Sequence, residues 1–587
     1  MDFLYKGEPG WISSMLGTPW RINAGKIDAA FEVLLQKNGQ WLPAATAGAI
    51  PGSVGEFKFT VPEELNAPGS ILMLFLPFHA LNKPAEELFE IPAGCDAQWS
   101  WPLLEIRTPA SSFVLKNFQL PTQPQTLFFN GWLRTADDKF FELNEMPLVF
   151  EDTPAESLQV RVSSNFTDRT VRLSVTAEQS ADARFMANRA FNGEITLEYN
   201  GKKHPCTLQG GNAVCRLPLE DDKPFTVKAF YPTLPQGESN YVDPAFLSDL
   251  GYRIVWGDMH VHSRESDGMG EAEEVMRRAR DWKKLDFMAF NEHIEHSLSW
   301  RRWNQAKWEK LRKLYEESTV DNEFVIIPGF EYYSYCNLWC FNDEYHSYLA
   351  PEFNRDTEYY RIKRITTPEG KLQHEEVQRM IAQFAAKKDW MVGYHRLEVL
   401  KDQLGKLPTP VQMLQMAHYK RPPEVGSMDY LLRGDRVAFF GGTDTHLGMP
   451  ATGYTGGRTA NSGLTAVLVK ELTRKSLHEA LLNCRTYASL GARTLLDVRV
   501  NGAIMGSEIS VPDGGMLEVT LNAAGSERLK GFEIVIDGED VEKQSVDKTF
   551  ACHTYRTTRK GSGKSFVLVR MHLEDGRMLW SSPVYIN

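Results

Sequence analysis

Between residues 250 and 490, short apolar runs alternate with segments of helical periodicity, and this rhythm restricts the possible folds more than any other feature. Helices are predicted at residues 271–284, 300–318, 373–388 and 473–484. Strands that alternate with helices are typical of βα units, in which neighbouring strands run parallel. We therefore predict an α/β region with a mainly parallel sheet closed into a barrel, whose functional residues follow the carboxyl ends of its strands.

The flanking regions lack this rhythm. Up to residue 248, and again from residue 493, short alternating runs are broken by Pro, Gly and Asn, which is typical of antiparallel sandwiches. A chain of 587 residues is also too long for a single core. We predict an N-terminal β domain (1–150), a second β-sandwich (151–248), the barrel (249–492) and a C-terminal β-sandwich (493–587).

Charge and composition exclude several classes of function. A formal net charge of −11 argues against a protein that binds nucleic acid. The chain has no apolar run long enough to span a membrane and no secretion signal, so we predict a cytoplasmic protein without a membrane partner. Cys206 and Cys215 flank a predicted hairpin turn and could pair, although free thiols are the preferred interpretation.

Histidines and carboxylates follow the predicted strands of the central region. Six strand ends supply such side chains, namely His260 and His262 with Asp267 in the next loop, Glu292 with His293, Glu331, His346, His395, and Asp444 with His446. Polar groups gathered at one rim of a barrel need partners. Nitrogen and oxygen ligands without thiolate predict a site for several divalent Zn, Mn or Fe ions.

The order of these motifs resembles the PHP (polymerase and histidinol phosphatase) superfamily of metallohydrolases. The matching segments are Asp258-Met259-His260-Val261-His262, Ser266-Asp267-Gly268, Glu292-His293, Pro328-Gly329-Phe330-Glu331, His346, Gly393-Tyr394-His395 and Thr443-Asp444-Thr445-His446. The resemblance covers about residues 250–510 and extends to a branch with flanking β domains, similar to carbaryl-hydrolase-type enzymes. It implies a distorted (β/α)7 barrel that holds two or three metal ions.

The resemblance also implies a role for each ligand. The first metal ion takes His260, His262, Glu331 and Asp444; Glu331 bridges to a second ion held by His346 and His395; Asp267, His293 and His446 hold a third. His374 is an alternative to His346. The family's usual Thr-Asp before the fourth-motif histidine is Asn291-Glu292 here, which puts the third ion in doubt.

Closely spaced metal ions lower the pKa of a bridging water and stabilise negative charge on the attacked centre. We therefore predict a hydrolase that uses a metal-bound hydroxide, foremost a phosphoesterase that acts on a small anionic substrate. A carboxyl-ester or carbamate hydrolase of the same fold is one alternative, and a carbohydrate-binding or scaffold protein with an idle barrel is another. The predicted substrate-binding or proton-transferring residues are Arg264, His296, Arg396, His418, Lys420 and Arg421.

Overall fold

A computed structural model describes residues 23–587 with gaps. The undescribed stretches within that range are 28–31, 51–52, 63–66, 76–78, 81–84, 91, 93–94, 101–102, 108–110, 121–126, 138–139, 144–145, 153, 167, 182–183, 267, 269, 294–304, 333–335, 342–387, 396–411, 418–425, 447 and 452–462. The chain forms two compact units, one of Met1–Glu156 with Ala177–Phe191 and the other of Ser157–Thr176 with Asn192–Asn587.

The first unit is built from two sheets. Its main elements are β1 Asn23–Ile27, β2 Glu32–Lys37, β3 Gln40–Pro43, β4 Val54–Thr60, β5 Ile71–Phe75, β6 His79–Ala80, α1 Ala85–Leu88, β7 Phe89–Glu90, β8 Asp96–Ser100, β9 Leu103–Arg107, β10 Ser112–Gln119, β11 Leu127–Arg134, β12 Phe140–Leu143 and β13 Met146–Leu148. One sheet has the order β1-β12-β11-β5-β9-β8 and the other β3-β2-β4-β10-β6.

Alternation along β4 explains how these two sheets share a core. Phe57 and Phe59 are fully buried, whereas the alternate residues Glu56, Lys58 and Thr60 are half-buried. Both rings meet Phe129 of β11 edge-on, with ring centroids 5.3 Å apart in each pair. Because β4 and β11 belong to different sheets, these contacts join the inner faces of a sandwich. This arrangement agrees with the antiparallel pattern predicted for the region.

Strands also dominate the segment that follows. Its elements are β14 Ser157–Val162, β15 Thr170–Ala181, β16 Arg184–Ala187, β17 Gly193–Tyr199, β18 Lys202–Leu208, β19 Asn212–Pro218, β20 Lys228–Tyr231, β21 Leu234–Glu238 and α2 Pro244–Leu250. β15 pairs with β19, and a separate sheet has the order β18-β17-β20-β21. Asp243 caps α2 by accepting a hydrogen bond from the backbone N–H of Phe246.

The central region contains both strands and helices. They are β22 Arg253–Val261, α3 Ala272–Arg277, which continues as a π-helical turn at Arg278–Trp282, β23 Phe287–Phe290, β24 Glu292–His293, α4 Gln305–Ser318, β25 Val325–Ile327, β26 Gly329–Tyr332, β27 Cys336–Cys340, β28 Trp390–Tyr394, β29 Gln412–Ala417, α5 Ser427–Leu432, β30 Val437–Gly441, β31 Leu464–Val469, α6 Arg474–Leu482 and β32 Thr486–Ser489. Three of the predicted helices form, at 272–282, Gln305–Ser318 and Arg474–Leu482. Residues 300–304 of the second lie outside the described residues. The fourth, at 373–388, lies outside the described residues except for its last residue.

The C-terminal strands extend a sheet that begins in the central region. They are β33 Leu495–Val500, β34 Ala503–Ile504, β35 Glu508–Ile509, β36 Met516–Ile536, β37 Glu539–Thr558, β38 Ser565–Leu573, β39 Met578–Ser581 and β40 Val584–Ile586. The sheet order is β25-β23-β22-β31-β32-β39-β38-β36-β33-β34. A core that includes Trp256 and Tyr487 packs along this sheet, with the two rings 5.4 Å apart and edge-on.

The predicted distorted (β/α)7 barrel, and with it the description of the central region as a TIM-like barrel, is wrong. Strand accounts for 55% of the described residues and helix for only 11%, which is too little helix to follow every described strand. β31 pairs antiparallel with both β22 and β32, and β27 pairs antiparallel with both β26 and β28. The described strands of the central region thus form two mixed sheets. The sequence pattern did not reveal this, because buried apolar runs look alike whichever way the strands run.

In the described part of the chain, no helix combines the length and the apolar character needed to cross a bilayer.

Candidate metal centre

Four side chains from three strand ends converge in the second unit. His260 lies in β22 and His262 directly after it, Glu331 lies in β26, and Asp444 follows β30. His260 Nε2 lies 2.9 Å from Glu331 Oε2 and 3.3 Å from Asp444 Oδ1. His262 Nε2 lies 3.2 Å and 3.0 Å from the same two atoms. One ligand atom from each residue thus lies within 4.8 Å of the other three.

These separations match the edges of a small coordination polyhedron. Metal–ligand bonds of about 2.1 Å in a tetrahedron place ligand atoms about 3.4 Å apart. The four measured nitrogen–oxygen distances, from 2.9 to 3.3 Å, are only slightly shorter. Two imidazoles and two carboxylates without thiolate suit Zn, Mn or Fe. The residues therefore fit a divalent cation of this kind.

Backbone pairing brings Asp444 to the two histidines. The chain after β30 continues beside the end of β22, where Asp444 N donates to His260 O at 2.8 Å and His262 N donates to Thr445 O at 3.1 Å. Asp444 itself has a φ of +52°, in the left-handed region that non-glycine residues adopt at a cost. Such strain persists where the surrounding structure determines it, and it often marks functional sites.

Asp258 connects the segment around His260 with the segment around Thr443. This fully buried carboxylate accepts hydrogen bonds from Thr443 N at 2.9 Å, Thr443 Oγ1 at 2.6 Å, His260 N at 3.1 Å and Ala451 N at 2.9 Å. Burial raises the pKa of Asp258, and these hydrogen bonds act in the opposite direction. Asp258 therefore holds the backbone around two of the ligands without being a ligand itself.

Gln415 of β29 orients His260. Its Oε1 lies 3.2 Å from His260 Nδ1, and its amide nitrogen donates to Gly442 O at 2.7 Å. Since the amide nitrogen is held by a carbonyl, the oxygen faces the imidazole and accepts a hydrogen bond from Nδ1 when Nδ1 carries the proton. The amide nitrogen of Asn337 also lies 3.3 Å from His260 Nδ1. With the proton on Nδ1, Nε2 of the neutral imidazole presents a lone pair to two carboxylate oxygens. A proton can be shared by only two of these atoms, whereas a metal ion can bind all of them.

Space beside His260 is equally restricted. A Cβ atom at Gly442 would lie 2.5 Å from His260 Cβ and 2.9 Å from its backbone nitrogen. Only a glycine lets the two segments approach this closely. The position of His260 is thus restricted both by Gln415 and by the backbone at Gly442.

Replacing Gln415 by Met is expected to weaken binding of a divalent metal ion by about 10–100-fold while the protein stays folded. Methionine has a similar length but cannot accept the Nδ1 proton, so the orientation of His260 is lost. The measurement is a titration of metal-free protein with Zn²⁺ or Mn²⁺, beside thermal unfolding. Gln544→Met, at an exposed position of β37, is the matched control.

Gln415→Glu keeps an acceptor for His260 and is expected to keep most of the metal affinity. Equal affinity in the Met variant and the natural protein would show that Gln415 does not position the ligand.

Glu331 has a second contact on the far side of the cluster. Its Oε1 lies 3.1 Å from His395 Nε2, whereas its Oε2 faces His260 and His262. Burial lowers the pKa of His395 to about 4, although the neighbouring Glu331 raises it. His395 is therefore neutral near pH 7, which is the form that binds metals. The carboxylate of Glu331 thus lies between the two imidazoles of His260 and His262 on one side and the imidazole of His395 on the other.

His446 and Arg264 lie in different surroundings. The ring of His446 stacks on that of His262 with centroids 4.2 Å apart, and its Nδ1 lies 3.1 Å from Asp444 O. His446 thus borders the cluster. Arg264 pairs instead with the carboxylate of Glu271, seven residues further along the chain. Because its charge is already paired with Glu271, this contact does not support the predicted role of Arg264 in substrate binding.

Glu292 shapes the loop after His262. Its buried carboxylate accepts from Ser263 N at 3.0 Å and from the hydroxyls of Ser263 and Ser266. Burial raises the pKa of Glu292, and the nearby His262 lowers it. The acidic residue at this unusual motif position is therefore a structural support for the loop.

Several predicted site residues cannot be placed. Asp267, His296, His346, Arg396, His418, Lys420 and Arg421, and the alternative ligand His374, lie outside the described residues. The backbone of His293 pairs with Glu331 in neighbouring strands, but its side chain is also outside the description. Their predicted roles stay predictions.

Sequence reasoning missed the positioning role of Gln415. Gln415 interrupts the apolar run Met413-Leu414-Gln415-Met416 of a buried strand. A buried amide needs hydrogen-bond partners, so its presence in such a strand was a usable signal. The identity of its partner, His260, depends on the fold.

The comparisons with known proteins give relatives but no family. No family model matches the chain. An uncharacterised protein of Chlamydia pneumoniae is 24% identical over 373 residues, covering 58% of each chain. Uncharacterised proteins of Chlamydia muridarum and Chlamydia trachomatis serovar D are 33% and 31% identical over 140 residues, covering 21% of this chain and 22% of each relative. The chain thus spans little more than half the length of the first relative. The resemblance to the PHP superfamily stays a prediction.

Two solved structures show weak overall similarity. A β-glucuronidase 2 of Bacteroides uniformis, covalently bound to cyclophellitol-6-carboxylate aziridine, has a TM-score of 0.17 at 11% identity and covers 96% of this chain and 80% of its own. A cycloisomaltooligosaccharide glucanotransferase of Paenibacillus sp., complexed with cycloisomaltoheptaose, has a TM-score of 0.20 at 9% identity and covers 74% and 72%. Neither is a phosphoesterase by its name, and scores this low carry no argument.

Proposed function

We propose that the chain is a metal-dependent hydrolase whose reaction takes place at the cluster of His260, His262, Glu331 and Asp444. One observation supports this proposal above all. Four ligand atoms of the types that Zn, Mn and Fe prefer lie within 4.8 Å of one another, and three of the four residues are buried. Buried carboxylates facing imidazole nitrogens need a positive partner, which a divalent cation provides.

A divalent cation held there supplies a Lewis acid, which lowers the pKa of a water molecule and stabilises developing negative charge. The residues of the chain supply the rest. Asp258, Gln415 and the backbone beside Asp444 hold the ligands in place before the cation binds. Such preorganisation means that little reorganisation is needed during the reaction.

Exposure indicates the side from which water and substrate approach. The side chains of Asp444 and His446 are each 14% exposed, whereas those of His260, Glu331 and His395 are at most 4% exposed. The open side of the cluster is therefore the one lined by Asp444 and His446. His446 borders this side and is placed to contact a substrate or to exchange a proton with it.

Glu331 and His395 support a second metal position. The two oxygens of Glu331 face different imidazoles, His260 and His262 on one side and His395 on the other. Glu331 and His395 would therefore hold a second cation, which would supply a second Lewis acid for the attacking or the leaving group. A third ion, with Asp267 and His293, stays a prediction.

The bond that is hydrolysed is a separate question from the reaction class. The predicted preference for an anionic substrate relied on Arg264, Arg396, Lys420 and Arg421. Of these only Arg264 is described, and it pairs with Glu271. The proposal therefore covers metal-dependent hydrolysis, and the choice among phosphate, carboxyl and carbamate esters is made by assay.

The test compares metal-free and metal-loaded protein on aryl phosphate mono- and diesters, aryl carboxyl esters and aryl carbamates. Hydrolysis of at least one class is expected to appear on addition of Mn²⁺ or Zn²⁺ and to disappear with a chelator. Asp444→Asn should abolish it, since the variant loses a charged ligand while keeping the shape of the side chain.

Asp513→Asn, at an exposed turn where Asp513 accepts a hydrogen bond from Gly561 N, is the control and should retain full activity. Metal binding at the cluster without turnover of any ester class would contradict the hydrolase proposal. Equal turnover in the Asp444→Asn variant would place the reaction elsewhere.

A further inference from the structure

Cys206 and Cys215 face each other across a tight turn. Gln209 and Asn212 exchange two backbone hydrogen bonds, N to O, of 3.0 Å and 3.2 Å. Gly210 and Gly211, between them, have φ values of +56° and +76°, as a two-residue type I′ turn requires. Cys206 lies three residues before Gln209, and Cys215 lies three residues after Asn212.

The sulfur atoms of Cys206 and Cys215 meet just beyond the turn, although their two strands, both fully described, share only the one bridge at the turn. A disulfide bond brings two sulfur atoms to about 2.05 Å. The Sγ atoms of Cys206 and Cys215 lie 2.8 Å apart, so the thiols are in direct contact.

The two strands belong to different sheets beyond the turn. Cys206 in β18 lies opposite Ile195 of β17, whereas Cys215 in β19 lies opposite Leu173 of β15. A covalent bond between the two sulfurs would therefore connect two sheets of the second unit. Cys206 is buried and Cys215 half-buried, so solvent reaches the pair from the Cys215 side.

We propose that Cys206 and Cys215 form a reversible disulfide by exchange with a small-molecule disulfide such as oxidised glutathione. Cys215, as thiolate, attacks one sulfur of the small disulfide and releases one thiolate, leaving a mixed disulfide. Cys206 then loses its proton and attacks Cys215 Sγ, which releases the second thiolate. Two cysteine thiols are oxidised and one small disulfide is reduced to two thiols.

The electrostatics of the pair agree with this order of attack. The contact with Cys206 lowers the pKa of the Cys215 thiol, whereas the same contact and burial raise the pKa of Cys206. The thiolate is the attacking species, and Cys215 is also the more accessible of the two. Cys215 is therefore the first to react and Cys206 the resolving thiol.

The experiment uses the full-length folded protein with oxidised glutathione, followed by acid quenching, alkylation and trypsin. Cleavage after Lys203 and Arg216 releases residues 204–216, which contain both cysteines and no other. The expected product is this peptide without alkyl groups and two hydrogen atoms lighter than the dithiol. Dithiothreitol should restore the doubly alkylated peptide. Exposed Cys552 is the internal control and should carry only a glutathione adduct.

Single variants test the order of attack. Cys206→Ser should leave a persistent glutathione adduct on Cys215, because the resolving thiol is missing, and Cys215→Ser should react more slowly than Cys206→Ser. If peptide 204–216 of the natural protein keeps two alkylatable thiols, or stops at a glutathione adduct, the proposal is wrong. None of these outcomes depends on the metal cluster or on hydrolysis.

Discussion

Replacing Glu331 by Gln is expected to lower the affinity of the cluster for a divalent metal ion by about a thousandfold. Two unit charges 4 Å apart attract each other by about 4 kcal/mol at an effective dielectric constant of 20, and each 1.4 kcal/mol is tenfold in affinity. Glu331 is 3% exposed at the side chain and contacts three imidazoles, so solvent screens its charge poorly. The measurement is metal content after dialysis, with titration of the metal-free protein by Zn²⁺ and Mn²⁺.

Glu323→Gln is the matched control for this charge loss. Glu323 is partly exposed and pairs with Arg216 at 2.7 Å, away from the cluster. An exposed ion pair contributes about 0–1 kcal/mol, so this variant should bind metal as the natural protein does. If Glu331→Gln retains the metal content and affinity of the natural protein, the cluster is not a metal site.

Replacing Asp258 by Ala is expected to lower the free energy of unfolding by about 4 kcal/mol. The substitution leaves the N–H groups of His260, Thr443 and Ala451 without their acceptor, and each unsatisfied buried donor costs about 1–3 kcal/mol. The unfavourable burial of the carboxylate, which raises its pKa, offsets part of this loss. Because the lost bonds join the chain around His260 to the chain around Thr443, the metal cluster should also lose its geometry.

Denaturant unfolding of the metal-free protein measures this effect without interference from metal binding. Asp249→Ala, at an exposed position of α2, is the control and should change stability by less than about 0.5 kcal/mol. A change as small as that in the Asp258→Ala variant would mean that the carboxylate does not connect the two segments.

Much of the candidate site could be predicted from residue types at strand ends. The apolar runs before His260, Glu331 and Asp444 are strands in the structure, and these residues do meet. The four cluster residues meet because apolar runs of this length are buried, and the polar residues at their ends then lie at the edge of a core.

The barrel could not be predicted correctly for a related reason. No strand was predicted at Cys336–Cys340, which forms β27 and runs antiparallel between β26 and β28. Strand direction depends on connections and on pairing partners distant in the chain.

By itself, the amino-acid sequence determined which residues could be ligands, the approximate positions of several buried strands, and that the flanking regions are rich in β structure. These are local properties, since they follow from side-chain chemistry and from the period of apolar residues. Only the tertiary structure decided the strand directions, the partnership of Gln415 with His260, and the contact of Cys206 with Cys215. Each of these depends on which segments pack together, and packing is a property of the whole chain.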